Sequence, residues 1–289
     1  MRTKLKINID EIDIPIHSYI LKNTDAASRW EQAKKDFPEN KLSFLIKNFD
    51  QAKLTEDTTS ALETIGFAPW VTSDFGNLND KYGGLSLVYN PNHEDHLNPE
   101  HSTLGTPKQT ALQFFNNVDM KHTSNSYVDT YRFTEPTKLH NYGYIKEFLS
   151  RGQRTLIRSR LGVIKPGMQN LLFDKYSWHV DEHIYINLRL NIPITTEPNY
   201  LFQLKNEEPY HLDIGEGKAY SWNTAIPHRV FHTGTTTKDR INFVLGYSPW
   251  FDFDKENRCW IENDFYGKHP FQMLLDGEIF SGLELLQKG

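Results

Sequence analysis

Apolar and polar positions alternate with a period of two along much of the second half of this chain. From Thr155, such runs follow at short intervals: TLIRSRLGVI, WHVDEHIYINLRLNIPI, YLFQLK, PYHLDI, KAYSW, HRVFHT and RINFVLGYS. A period of two marks strands whose two faces differ. Turn chemistry separates the runs, in KPGMQ, TTEPN, KNEE, GEG and GTTTKD. Gly, Pro and Asn there supply backbone conformations that strands avoid. Many short strands at this spacing predict a sandwich or barrel.

The front half reads differently. KLKINIDEIDIPI, residues 4–16, alternates like a strand, and DAASRWEQAKKD, residues 25–36, predicts a helix capped by Asp25. Thr58 to Ile65 predicts a short helix closed by Gly66. Residues 75–108 are rich in Gly, Asn, Pro and His and predict long loops around one strand, Leu85 to Tyr89. Residues 137–151 end as an amphipathic helix, and the tail from Trp250 predicts a short helix near Leu283. The front half shows too little apolar periodicity to stand alone. The expected organisation is one unit over 1–289, with 1–154 as support and substrate lid, 155–250 as the β core and 251–289 as a C-terminal extension.

Composition narrows the function classes. Hydrophobic residues make up 38% and charged residues 24% of 289, an ordinary globular balance. The aromatic share of 13% favours strands and large packed pockets. A net charge of -5 argues against a broad nucleic-acid surface, which needs clustered Lys and Arg. Cys259 is the single cysteine, so no internal disulfide forms, which fits a reducing compartment. The start has no apolar signal region, and no apolar run reaches the roughly 20 residues of a membrane helix. The expectation is a cytoplasmic protein with no membrane contact, acting on a small molecule or peptide.

The chemistry gathers around Trp178-His179-Val180-Asp181. In an extended strand, His179 and Asp181 project from one face and can chelate one metal. A distant histidine would complete the two-His, one-carboxylate set of non-haem iron sites. The bland alternative is a polar strand face whose carboxylate pairs with a neighbouring base. Residues 218–247 supply the distant candidates, with His228 and His232 in one strand run and Arg240 opening the next. Four residues of strand span about 13 Å, so only one of His228 and His232 can join. The same distance separates His183 from His179. Arg240 has the planar fork that grips a carboxylate by two bonds, or else it makes a surface ion pair with Asp239. His93, His96 and His101 are irregularly spaced with no cysteine near, which argues against zinc. Cys259 reads as a packed small residue.

The stretches RSRLGVIKPG, HVD, NLRLNIPI and GKAYSWNTAIPHRVFHTGTTTKDRINFVLGY resemble the aspartyl/asparaginyl β-hydroxylase-like branch of the 2-oxoglutarate and Fe(II)-dependent dioxygenases. That branch includes free-proline cis-hydroxylases. The resemblance covers residues 157–247. It implies a mainly β fold with flanking helices, the double-stranded β-helix (jelly roll, cupin-like). His179, Asp181 and His228 match its iron ligands, and Arg240 matches the anchor for the far carboxylate of 2-oxoglutarate. Arg189 and Asn191 fall where further polar contacts to that co-substrate occur, with Asn191 where histidine is common. His232 stands where asparagine is usual. The implied cofactors are Fe(II), 2-oxoglutarate and O2, and the implied reaction hydroxylates an amino acid, free or within a peptide. An intact carboxylate at Asp181 favours hydroxylation over halogenation, since halogenating relatives place Gly or Ala there.

Rival readings are desaturation or cyclisation of a small metabolite at the same site, or a cupin-like metal-binding module without turnover. A plain binding module has no need of Arg240. Protein hydroxylases of the JmjC type usually anchor the co-substrate with lysine on an earlier strand. Trp70, Phe75, Tyr82, Tyr89, Tyr127 and Tyr131 are candidate pocket aromatics of the front half.

Overall fold

The structure, a computed structural model, describes residues 3–66, 68–69, 82–92, 129–166, 178, 180–213 and 217–289. Its strands are β1 (Lys6–Asn8), β2 (Lys41–Ile46), β3 (Ala68–Pro69), β4 (Tyr82–Ser86), β5 (Val88–Tyr89), β6 (Glu135–Pro136), β7 (Arg160–Ile164) and β8 (Leu188–Thr195). There follow β9 (Tyr200–Leu204), β10 (Lys218–Trp222), β11 (His228–His232), β12 (Arg240–Tyr247), β13 (Phe251–Asp254), β14 (Cys259–Glu262) and β15 (Leu283–Lys288). Helices cover Ile16–Asn23, Ala26–Asp36, Gln51–Ile65, Gly143–Leu149 and Pro270–Leu275.

The strand order defines the fold. A large sheet runs β15-β2-β10-β8-β12-β7-β4-β3, and β9 pairs with β11 in a small one. The pairings in both are antiparallel. From β8 to β12 the chain alternates between large and small sheet at every step. That winding is the double-stranded β-helix, or jelly roll. The large sheet also draws strands from 41–46, 68–69, 82–86 and 283–288. A third sheet, β1-β14-β13, lies outside these two.

Side-chain alternation explains why the large sheet is buried on both faces. Along β8, Leu188, Leu190, Ile192 and Ile194 join one hydrophobic core with Leu161, Val163, Phe243 and Leu245 of β7 and β12. Residues of the helices, including Leu54, Ala61 and Phe148, pack into the same core. Each such side chain stabilises the fold by about 1.5–3 kcal/mol relative to exposure. The opposite face of β8 carries Arg189 and Asn191. Asn191 pairs with Tyr220 of β10, which packs with Phe202, Leu204 and Trp222 in a second core between the sheets. The inner face of the jelly roll is therefore part aromatic and part strongly polar. Pro193 sits inside β8 although it has no N–H to give. It pairs with Asn242 beside a register shift between Ile241 and Asn242, an irregularity that accommodates it.

Several expected elements differ. Only Lys6–Asn8 of the first alternating run is strand, and a 3-10 turn, Ile9–Glu11, follows it. Helix Gln51–Ile65 begins a full two turns before Thr58, because the Asp50 side chain accepts from Lys53 N (3.0 Å) and caps it. Gly66 does close it, at φ 94°. Asp25 stands at the N-cap position of helix Ala26–Asp36 but makes no side-chain cap; its carboxylate takes Arg29 and the Tyr266 hydroxyl. Of residues 75–108, the described part is β4, β5 and the turn to residue 92. The tail forms strand β15 where a helix near Leu283 was expected, because it pairs with β2. Among the described residues, the long run WHVDEHIYINLRLNIPI becomes strand only at Leu188, and PYHLDI contributes a single bridge, Phe202 to Tyr210.

Among the described residues, no helix is long and apolar enough to cross a membrane.

Candidate active site

The segment carrying Asp181 is held without being a strand. Asp181 N donates to Thr224 O (2.8 Å), and the Thr224 hydroxyl donates to Glu182 O (2.6 Å). These bonds tie residues 181–182 to the turn between β10 and β11. Upstream, the Arg229 guanidinium lies over the Trp178 ring at 4.6 Å and the Phe231 ring at 4.1 Å. Arg229 is the next residue after His228, so one stack fixes the chain on both sides of the candidate ligands.

His228 opens β11 and pairs with Leu204 of β9. It shares a strand face with Val230, which packs in the core between the sheets. Its ring stands 6.1 Å from those of Phe202 and Trp222. Nδ1 lies 2.9 Å from Ile226 O, which fixes the ring, and Nε2 lies 3.5 Å from Asp181 Oδ2. A proton on Nδ1, donated to that carbonyl, leaves Nε2 as a lone-pair donor facing the carboxylate. The same Oδ2 also takes Arg189 NH1 in a close ion pair.

Arg189 spans two acids. Its NH2 donates to Glu182 Oε2 (3.0 Å), while Glu182 Oε1 accepts from Arg158 NH1 (3.3 Å) and from the Thr130 hydroxyl. Burial pushes the Glu182 carboxyl up, but Arg158 and Arg189 outweigh it and hold the group below the usual carboxylate range. Arg158 adopts a left-handed backbone at φ 41°, uncommon for a non-glycine residue.

Arg240 opens β12 opposite Ile164, four pairs along from Val244 opposite Arg160. Since Val244 also pairs with Asn191, Arg240 points to the same inner face. It is 9% exposed, which removes the reading as a surface residue. Between it and Arg189, Asn242 Nδ2 donates to Asn191 Oδ1 (3.1 Å). The remaining amide atoms, Asn191 Nδ2 and Asn242 Oδ1, are buried with no hydrogen-bond partner among the described residues. Leaving such atoms dry costs about 1–3 kcal/mol each. This amide pair thus leaves one donor and one acceptor to be satisfied.

Of the sequence-predicted site residues, Asp181 and His228 come together, and Arg189, Asn191 and Arg240 share their side of the large sheet. His179 lies outside the described residues, as do His93, His96, His101, Trp70, Phe75 and Tyr127. Among the described residues, no three His, Cys, Asp or Glu groups are placed to hold one ion. His183 is not on a strand face with Asp181; its ring stacks on Tyr185 at 5.2 Å, and Tyr185 stacks on Trp250. His232 ends β11, with Nδ1 3.2 Å from Gly234 O and its ring against Tyr200. Tyr131 is core, packed edge-on to Trp260. Cys259 is buried in β14, and burial raises its thiol pKa.

Glu182, Arg158, Thr130 and Asn242 were not singled out from the sequence. For Glu182 a signal existed, since HVDEH sets two acids side by side. Strand alternation would have turned it away from Asp181.

The donor set fits a divalent cation. A separation of 3.5 Å between His228 Nε2 and Asp181 Oδ2 is long for a hydrogen bond. It is close to the roughly 3–3.4 Å at which two donors flank one ion with bonds of about 2.1 Å.

No protein-family model matches the chain, and no curated protein matches it. Solved structures similar to it include a Pseudomonas putida prolyl-4-hydroxylase, at 10% identity over 81% of this chain and 98% of that one, with a TM-score of 0.37. A non-haem monooxygenase, the ThoJ–Ni complex, is 13% identical over 85% and 93% of the two chains, with a TM-score of 0.32. A 2OG-Fe(II) oxygenase family protein from Caulobacter crescentus is 10% identical over 83% and 88%, with a TM-score of 0.31. Likeness at this level carries no argument; the fold rests on strand order and the site on its side chains.

Proposed function

We propose that this chain is an Fe(II)- and 2-oxoglutarate-dependent oxygenase that hydroxylates an unactivated C–H bond of an amino acid, free or within a peptide. The reading rests on one observation above the rest. His228 Nε2 and Asp181 Oδ2 face each other at 3.5 Å on the inner side of a jelly roll. A buried arginine, Arg240, opens the neighbouring strand of the same inner face.

In this reading His179, Asp181 and His228 hold the metal. Arg240 takes the far carboxylate of 2-oxoglutarate by a charge-assisted pair. Arg189 and Asn191 border the co-substrate on the same face. Asn191 Nδ2 and Asn242 Oδ1 are the buried amide atoms there that a ligand or its bound water would satisfy. The aromatic wall of Phe202, Tyr220 and Trp222 excludes water from the metal side of His228. When bound, iron with 2-oxoglutarate and O2 supplies the oxidative chemistry: one oxygen atom ends in succinate, the other in the hydroxylated product, and CO2 leaves. The protein's own task is to place the substrate carbon and keep competing reactions out.

The test is succinate release from 2-oxoglutarate by the purified protein with Fe(II), across a panel of amino acids and short peptides. Stimulation by a panel member, with a product heavier by one oxygen atom, supports the reading. Metal binding without succinate formation would favour a module that does not turn over.

A further inference from the structure

Glu182 is almost wholly buried, with a side-chain exposure of 2%, yet it makes ion pairs with two arginines. Three groups hold it: the Thr130 hydroxyl, Arg158 NH1 at 3.3 Å, and Arg189 NH2 at 3.0 Å. The other arm of the same Arg189 guanidinium meets Asp181 Oδ2. One rigid planar fork therefore spans two consecutive carboxylates. Whatever fixes the Glu182 end fixes the Asp181 end. The backbone under Arg189 is tied as well, through Ser221 Oγ donating to Arg189 O (2.7 Å).

Charge makes the same link. Glu182 places its negative charge between the Arg158 and Arg189 guanidinium groups, and Asp181 pairs with the second of them. Removing the Glu182 charge takes one negative charge away from both guanidinium groups, beside the place of a divalent cation. Arg189 would also be drawn wholly onto Asp181, whose oxygen the metal needs.

We infer that Glu182 is a positioning residue of the metal site, which holds the Arg189 fork so that Asp181 faces His228 and so that the site accepts a divalent cation. This rests on the metal site proposed above. Partners of metal ligands typically shift metal affinity 10- to 100-fold when removed.

The experiment is titration of the metal-free full chain with Co(II), read by visible absorption, with circular dichroism and thermal melting beside it. Glu182→Gln keeps the shape and removes the charge. It is expected to weaken Co(II) binding about 10- to 100-fold and to change the band shape in folded protein. Glu182→Asp, which keeps the charge, is expected to recover part of that loss. Thr130→Val removes one hydrogen bond and no charge; it is expected to weaken binding several-fold, and it decides the matter where Glu182→Gln does not fold. Wild-type Co(II) affinity and spectrum in the folded variants, with only the melting temperature lowered, would overturn the inference and leave the metal site standing. A wild-type chain that binds no Co(II) would overturn the metal site itself, and the inference with it.

Discussion

His228, at the start of β11, reaches Asp181 of the non-strand segment before β8, with Nε2 3.5 Å from Oδ2, while its other ring nitrogen sits 2.9 Å from the Ile226 carbonyl. The two residues are far apart in sequence. They meet because β11 carries one, and the Thr224 turn before β11 hydrogen-bonds the segment that carries the other. This relationship generates the first prediction. His228→Ala is expected to lose metal binding and all metal-dependent turnover, because a site short of a ligand holds Fe(II) weakly. His232→Ala is expected to keep the metal, since its ring stands at the far end of β11 against Tyr200. Metal content by elemental analysis of both variants decides, and the reverse pattern would move the site along the strand.

Arg240 carries the second prediction. Arg240→Ala is expected to raise the KM for 2-oxoglutarate steeply while Co(II) affinity in the absence of co-substrate stays near that of the wild type. A lost charge-assisted pair costs about 2–5 kcal/mol. An unchanged KM would transfer the anchoring role to another inner-face cation such as Arg189.

The third prediction concerns acid stability away from the site. His269 is 5% exposed, stacks on Phe37 at 4.8 Å, and its Nδ1 accepts from Phe271 N (3.1 Å) at the start of helix Pro270–Leu275. An accepting Nδ1 requires the neutral ring, and burial lowers the pKa to about 4 from an ordinary 6.5. The native state then binds fewer protons than the unfolded chain between those values. Stability is full above the unfolded value and falls as pH drops toward about 4, by roughly 3 kcal/mol at most. His269→Asn keeps a capping acceptor but does not titrate. Its melting temperature is expected to depend less on pH between 4 and 6.5 than that of the wild type. An identical pH slope would assign the acid sensitivity to other groups, with His183, also held down by burial, first in line.

The alternation of Leu188, Leu190 and Ile192 with Arg189 and Asn191 was legible in the sequence, and it sets both the strand and its polar inner face. So was the placing of His228 and Arg240 at strand starts, because turn residues precede each. Three features were not legible. The chain from Asp181 to Asn187 alternates like a strand but spends its hydrogen bonds on Thr224 and on a turn, Asn187 N to His183 O. That is a tertiary outcome which local pattern does not encode. Residues Leu283–Lys288 are good helix formers by composition, and only pairing with the distant β2 makes them a strand. Glu182 was hidden for the first of these reasons: with no strand there, it and Asp181 can share Arg189.

The central claim is that Asp181 and His228 belong to a metal site that turns over 2-oxoglutarate. The most direct measurement is succinate formed under O2 by wild type, Asp181→Ala and His228→Ala, each supplied with Fe(II) and 2-oxoglutarate and with an amino-acid and peptide panel. The account predicts Fe(II)-dependent succinate from the wild type, raised by at least one panel member, and none above background from either folded variant. Undiminished succinate from either variant, or none from the metal-loaded wild type under any condition, would contradict it.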